Sequence, residues 1–321
     1  MNLLVMKRFV FALLCSTFVH AASGAGQETT QAIAKDAGLD FRWTGNAGFE
    51  VVLPTGDHVL VDPWLDSAPY NKLTLDKVTR ADYILITHIH GDHADDVKKI
   101  QEKFPKVRIF VGALSAEPLT KWQNLNIAKL YKVIDRQEFE FDELKIQAFA
   151  GRHTESTFGN YCHWDEQGEM THQSWGTMDL FHYLITAKDG TRFMVWAGTP
   201  SVDTAYQLRG LKPDLAAVHI SPKQDFKILS RIMNSMEVGV MMPHHYDAWP
   251  TILRKMPAEI GNFPTEVQPL TPENVIEKMM AYVRKTLSDA GTKASFFTPE
   301  PHKWYHFDRA TRKVSPTGAP A

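Results

Sequence analysis

Three histidines and an aspartate fall within six residues in the stretch Thr87-His88-Ile89-His90-Gly91-Asp92-His93-Ala94-Asp95. Imidazole nitrogens and a carboxylate packed this densely form a donor set for Zn²⁺ or another first-row divalent ion. The stretch follows a continuous apolar run, Asp82 to Thr87, and opens a helical pattern. On the emerging strand, alternation points His88 and His90 the same way and leaves Asp92 and His93 at the turn and helix start. Buried at a strand end without a cation, these polar groups would need other partners, and leaving them unpaired is costly.

The elements that must position this cluster can be read from pattern. Phe49-Glu50-Val51-Val52-Leu53 and His58-Val59-Leu60-Val61 flank Pro54-Thr55-Gly56-Asp57, a hairpin signal. Asp82 to Thr87 reads as a buried strand. Ala94 to Phe104 reads as a helix, with Val97, Ile100 and Phe104 at helical spacing. Val107 to Val111 is a further strand, and Glu117 to Leu125 a short helix. Gly151 to Asp179 is polar, aromatic and loop-like. Phe181 to Thr186 and Arg192 to Trp196 form a second hairpin around Asp189-Gly190. Leu215 to Ile220 and Val238 to Met242 are buried strands, each after a helix-like stretch. Thr271-Pro272-Glu273-Asn274 opens a final helix that runs to about Leu287. Each half thus shows a strand cluster followed by strand–helix alternation. That pattern predicts an α/β fold with two sheets packed face to face and helices outside, a four-layer α/β/β/α sandwich.

Composition sets the surroundings. The chain has 321 residues, 44% apolar and 22% charged, with a formal charge of −2. It is long enough for a large core, and it has no basic field to attract nucleic acid. Lys7 and Arg8, the apolar run Phe9 to Val19 and the small residues from Ala21 to Ala25 read as a signal peptide over residues 1–25. Its removal takes away two positive charges and Cys15. Cys162 is then alone and forms no intrachain disulfide. The expected location is periplasmic or secreted, with stability coming from the core. The hydrolytic domain is expected over residues 26–290, and a C-terminal tail over 291–321, packed on the domain or extending from it. The expected partner is a small-molecule substrate. No nucleic acid and no stable membrane association after leader cleavage are expected, and the oligomeric state is left open.

His88-x-His90-x-Asp92-His93 resembles the signature of the metallo-β-lactamase-fold hydrolases, whose fold is an α/β/β/α sandwich. The resemblance covers nearly the whole chain after the leader. Gly48-Phe49-Glu50-Val51 and Val59-Leu60-Val61-Asp62-Pro63 resemble that superfamily's opening hairpin. Gly151-Arg152-His153-Thr154 lies where its next ligand histidine belongs. Met242-Pro243-His244-His245-Tyr246-Asp247 resembles the closing motif, with His245 a better match than His244 by its spacing from Pro243. These flanking motifs are most similar to the lactonase-like branch that includes ascorbate-phosphate lactonases.

The resemblance implies a metal site for Zn²⁺, with Mn²⁺ as the alternative. His88, His90 and His153 would hold one ion, and Asp92, His93 and His245 a second. A hydroxide between ions about 3.5–4 Å apart would be the nucleophile. Asp92 and His245 would serve catalysis as well as coordination, and the leaving-group proton would come from a metal-bound water or from Asp92. There is one departure. Many members of the superfamily carry a metal-bridging aspartate after the second hairpin. Here Val195-Trp196-Ala197-Gly198-Thr199-Pro200 places Thr199 there. Either the second ion is weak and the enzyme uses one metal, or the six remaining ligands suffice for two.

Around this core, Asp62 is either a turn carboxylate or an acceptor that orients a ligand histidine. Arg152, Lys223, Tyr246 and Trp164 are candidate substrate contacts. The expected reaction is hydrolysis of a small-molecule ester- or lactone-type bond. The alternatives are a β-lactamase, a phosphodiesterase acting on a lipid or small phosphodiester, and a metal-retaining binding protein without turnover. Substrate choice in such a fold resides in its loops.

Overall fold

The computed structural model describes residues 38–69, 73–153 and 165–320. The leader, Cys162 and Trp164 lie outside the described residues. The first strands are β1 (Gly38–Gly45), β2 (Gly48–Val52), β3 (His58–Val61), β4 (Tyr83–Leu85), β5 (Arg108–Gly112) and β6 (Leu130–Val133). Next come β7 (Glu138–Glu140), β8 (Leu144–Ala150), β9 (Phe181–Ala187), β10 (Arg192–Trp196), β11 (Leu215–His219) and β12 (Val240–His244). The last are β13 (Ser295–Phe296), β14 (Trp304–Asp308) and β15 (Lys313–Pro316). Among the described residues, one sheet has the order β15-β14-β1-β2-β3-β4-β5-β6, and a second has β13-β12-β11-β10-β9-β8-β7.

The two sheets repeat one plan. Hairpins pair antiparallel through β1, β2 and β3, and parallel strands follow from β3 to β6. In the second sheet β7 to β10 pair antiparallel, and β10 to β13 pair parallel. Parallel strands need long crossovers. The helices α1 (Gly91–Ala94), α2 (Val97–Lys103) and α3 (Ala116–Gln123) lie in those of the first half, and α5 (Val202–Gln207) and α6 (Phe226–Met236) in those of the second. Between β8 and β9 of the second sheet sits α4 (His172–Met178), and α7 (Trp249–Lys255) and α8 (Val275–Asp289) follow β12.

Alternation along the parallel strands fixes the layers. Val59, Val61, Tyr83, Leu85 and Phe110 enter the core between the sheets. Their neighbours Leu60, Ile84, Ile109 and Val111 point the other way and pack with Val97, Ile100 and Leu119 of α2 and α3. Strands buried on both faces therefore read as continuous apolar runs rather than as alternating ones. Phe193 of β10 is fully buried and joins the sheets, with its ring 6.2 Å from Phe41 and 5.9 Å from Phe49. The result is the four-layer α/β/β/α sandwich that the sequence pattern predicts.

Three local expectations differ from the structure. The helix expected over 94–104 is broken into α1 and α2. Asp96 sits at the break, and its carboxylate accepts from the backbone N–H of Leu65 and Ser67 at 2.8 and 2.9 Å. The loop-like stretch before Asp179 contains α4. The segment after Gly291 is built into both sheets as β13, β14 and β15, because Trp304, Tyr305 and Phe307 bury their rings beside β1.

Phe193→Ala should lower stability by about 3–5 kcal/mol, the usual cost of emptying a fully buried phenylalanine site. Urea denaturation measures it, and a loss below about 1 kcal/mol would contradict a tightly packed seam between the sheets.

Candidate metal centre

The parallel strands end on one edge, and the chemistry collects there. β4 runs into Thr87 and His88, and a short turn leads to His90 before α1. The α1 turn carries Asp92 and His93. β8 leads to His153, β11 ends on His219, and β12 ends on His244 with His245 following. His245 has a left-handed backbone, φ +71°, and its N–H donates to Asn46 O at 2.8 Å. This geometry groups the side chains in two sets. The donor atoms of His88, His90 and His153 lie within 4.8 Å of one another, as do those of Asp92, His93 and His245.

In His88, His90 and His93, one ring nitrogen is held by a neighbouring group. Gln173 O lies 2.8 Å from His90 Nε2. A carbonyl only accepts, so Nε2 carries the hydrogen and Nδ1 the lone pair. Asp62 Oδ2 accepts from His93 Nδ1 at 2.8 Å, which leaves Nε2 facing Asp92 Oδ2 at 3.6 Å. The Thr87 hydroxyl donates to Asp62 Oδ2 at 2.6 Å and so accepts from His88 Nδ1 at 3.1 Å. His88 Nε2 is then buried with no hydrogen-bond partner. A buried, unpartnered imidazole nitrogen pointing at two others is the arrangement a metal ion satisfies. The residues present therefore fit a divalent ion.

Asp62 acts from behind this assembly. It is fully buried, with φ +41°, and also accepts from Thr87 N at 2.7 Å. Asn46 anchors the other side: its amide donates to Asp92 O at 2.9 Å and to Asp92 Oδ2 at 3.1 Å. Asp92 Oδ2 also lies 3.2 Å from His245 Nε2. The α4 helix seats His90. A Cβ on Gly176 would meet the His90 ring at 2.5 Å, so only glycine allows this approach.

Burial and crowding set the charges. Burial holds His88 well below the usual imidazole value, and its histidine neighbours add repulsion. Burial pushes His90 down to about 4. Both are neutral at pH 7, as ligands must be. Burial pushes the Asp92 carboxyl up, but His93 and His245 outweigh it and hold the group well below its usual range. Burial lowers His93, and Asp92 and Asp62 more than reverse that, so it is raised.

The remaining expected residues fall in different places. Thr199 brings no carboxylate to the site; its N–H donates to Arg152 O at 2.8 Å and its hydroxyl to His153 O at 3.2 Å. Thr199 thus clamps the segment that carries His153. Arg152 itself is exposed and does not line the cavity. Lys223 does line it. The structure does not bring Tyr246 there: its ring is buried against Trp43 at 5.0 Å and Trp249 at 6.0 Å. Asn46, His219 and His244 line the same cavity and were not singled out as ligands or contacts from sequence. Asn46 opens the turn in Thr44-Gly45-Asn46-Ala47-Gly48, whose place opposite Asp92 is set only by the fold.

The family described as the beta-lactamase superfamily domain matches residues 57–254. The chain belongs to the beta-lactamase superfamily of metal-dependent hydrolases. Among curated relatives, a metal-dependent hydrolase from Polynucleobacter asymbioticus is 28% identical over 227 residues, 68% of this chain and 77% of that one. Another, from Koribacter versatilis, is 45% identical over 71 residues, which are 22% of this chain and only 30% of that relative. Among solved structures, a metallo hydrolase from Ignicoccus hospitalis shares the fold with a TM-score of 0.56 at 16% identity. The likeness covers 84% of this chain and 98% of that one.

The buried histidines predict an acid limit for the metal-free protein. Unfolded histidine binds a proton near pH 6.5. Folded His90 and His182 wait until about 4 and about 3, both because of burial. Between those values the unfolded chain holds more protons, so stability falls as pH falls. His93 works in the opposite sense, contributing stability that is lost as pH rises through its raised folded value. It is one group against His88, His90, His182, His219 and His244, all lowered by burial. The urea midpoint should therefore drop from pH 6.5 to 4.5. His182→Gln keeps an acceptor for Ala197 N, now 3.1 Å from His182 Nδ1, and should flatten that slope by about 1.4 kcal/mol per pH unit. An unchanged slope would contradict this account.

Proposed function

We propose that this hydrolase cleaves an ester- or lactone-type bond in a small molecule with an apolar body, using two divalent ions. Zn²⁺ is the first choice for these nitrogen-rich sets, with Mn²⁺ as the alternative. One observation carries the reading. Both donor sets open onto a single cavity of about 420 Å³, and Ile220, Trp249, Ile252 and Phe263 form an apolar part of its wall. That volume suits a ligand of drug-like size or smaller. Lys223 lines the same cavity and suits a carboxylate or other anionic group on the substrate.

Bound divalent ions would acidify water and polarise the scissile carbonyl. The chain's own residues supply placement and proton handling. Asp92, oriented by the Asn46 amide, belongs to the second set, lines the cavity and is placed to accept a proton from the attacking water and return it to the leaving group. The Asp62–His93 hydrogen bond fixes the His93 ring, as an outer carboxylate does for a ligand histidine. The apolar wall excludes bulk water from the reacting bond. It also admits an acyl chain, which supports a lipid phosphodiester as the second reading. The leader-like residues 1–25 support a periplasmic or secreted enzyme acting on a free small molecule.

The test is metal analysis with a substrate panel of lactones, aryl esters, phosphodiesters and β-lactams. His90→Ala should lose bound metal and reduce kcat/KM by more than about 100-fold, beyond what loss of an outer hydrogen-bond partner gives. A His90→Ala protein that hydrolyses any panel substrate at the wild-type rate would sink the mechanism.

A further inference from the structure

One polar feature of the cavity wall lies outside both donor sets. β11 ends on His219, and the chain turns through Ser221, Pro222 and Lys223 before α6 begins. Gln224 closes this turn twice. Its backbone N–H donates to Ser221 O at 3.2 Å, and its side-chain Oε1 accepts from Ser221 N at 3.0 Å. Its amide nitrogen donates to His219 O at 3.0 Å and to Gly198 O at 3.2 Å. The side chain is buried, and leaving these backbone groups unpaired would be costly. Pro222 adds a fixed φ. The turn is therefore tied both to the end of β11 and to the turn that follows β10.

Gly198, His219, Ser221 and Lys223 all line the cavity that holds the two donor sets. Gln224 stands behind that wall. Among the described residues, Lys223 is the one lysine or arginine in the lining. No described residue hydrogen-bonds or ion-pairs with its ammonium. Asp225, its neighbour in sequence, accepts from Lys227 N and Ile228 N at the start of α6. Glu259, the lining carboxylate outside the donor sets, accepts from Asn262 Nδ2. A pre-organised turn that presents one cation beside an apolar wall favours an anion carried on an apolar chain.

We propose that the substrate carries an anionic group separate from the bond that is cleaved, that Lys223 binds this group, and that Gln224 is the positioning residue that holds Lys223 in place. The substrate class is then a carboxylated ester or lactone with an apolar spacer between its charge and its scissile bond. Ile220, Trp249 and Ile252 offer that spacer an apolar surface. The inference rests on the ester-cleaving reading above.

The experiment compares the zinc-loaded enzyme on 4-nitrophenyl hexanoate and on the 4-nitrophenyl monoester of adipate. The two acyl chains have equal length, and only the second ends in a carboxylate. Wild type should favour the adipate ester in kcat/KM by at least about 5-fold, the upper end of an exposed ion pair, and added NaCl should erode the preference. Lys223→Met should bring the ratio close to one. Gln224→Met keeps the length of the side chain without its amide and should lower the ratio through KM. In the double variant the ratio should fall no further than in Lys223→Met, because Gln224 acts through Lys223. Gln224→Asn, with its amide on a shorter stem, is the milder variant if Gln224→Met does not fold. A wild-type ratio near one, or a Lys223→Met loss equal on both esters, overturns the assignment and leaves the hydrolase reading standing. A ratio that falls in Lys223→Met but not in the Gln224 variant overturns the role of Gln224. Turnover of neither ester overturns the ester reading, and binding then decides the inference. Metal-free protein, followed by tryptophan fluorescence with Trp249 in the wall, should bind hexanoate more tightly than 1-hexanol, and Lys223→Met should abolish the difference. Equal binding of the two by wild type overturns the inference.

Discussion

The site depends on one constraint: its imidazoles are too crowded and too buried to carry charge together. The rings of His88 and His93 are 3.9 Å apart, and His88 is within 5 Å of two more. In water such groups would separate. Here each is held through one nitrogen, or through the backbone, by a neighbouring group. Asp62 and Thr87 fix His93 and His88 from the strand ends, and Gln173 fixes His90 from a helix. The nitrogens left over converge, and a divalent cation relieves both their desolvation and their mutual repulsion.

The fold makes that convergence repeatable. Both sheets present the ends of their parallel strands on one edge, so residues far apart in sequence meet without long excursions of the chain. Strand interiors buried on both faces keep those ends from shifting. Three of the left-handed residues fall where the chain turns beside the site: Asp62 after β3, Asn46 in the first hairpin and His245 after β12. Asp247 ties two of them together by accepting from Asn46 N at 2.9 Å. Strain at such positions persists when the surroundings hold it in place.

Much of this is legible in the sequence. The run from His88 to His93 is contiguous, so the local geometry of a strand end and a helix start is enough to group it. The sandwich followed from apolar runs and their alternation with helices. His153 and His245 came from motif resemblance, since nothing local ties either to His88. What stayed hidden depends on long-range packing. Asn46 meets Asp92 across 46 positions, Gln173 meets His90 across 83, and His219 is one histidine at the end of an apolar strand until the fold sets it against His245. Adjacency in sequence also misleads. Tyr246 follows a site histidine yet packs into the core, and Arg152 precedes another yet points to solvent. The break between α1 and α2 has the same origin, because Asp96 is drawn to a loop 29 to 31 residues away.

The central claim is that two sets of donors hold two ions in one cavity. Anomalous diffraction from crystals grown with Zn²⁺ and no chelator tests it most directly. The account predicts two peaks about 3.5–4 Å apart, one among His88, His90 and His153 and the other against Asp92, His93 and His245. A single peak, or peaks away from these side chains, would contradict it.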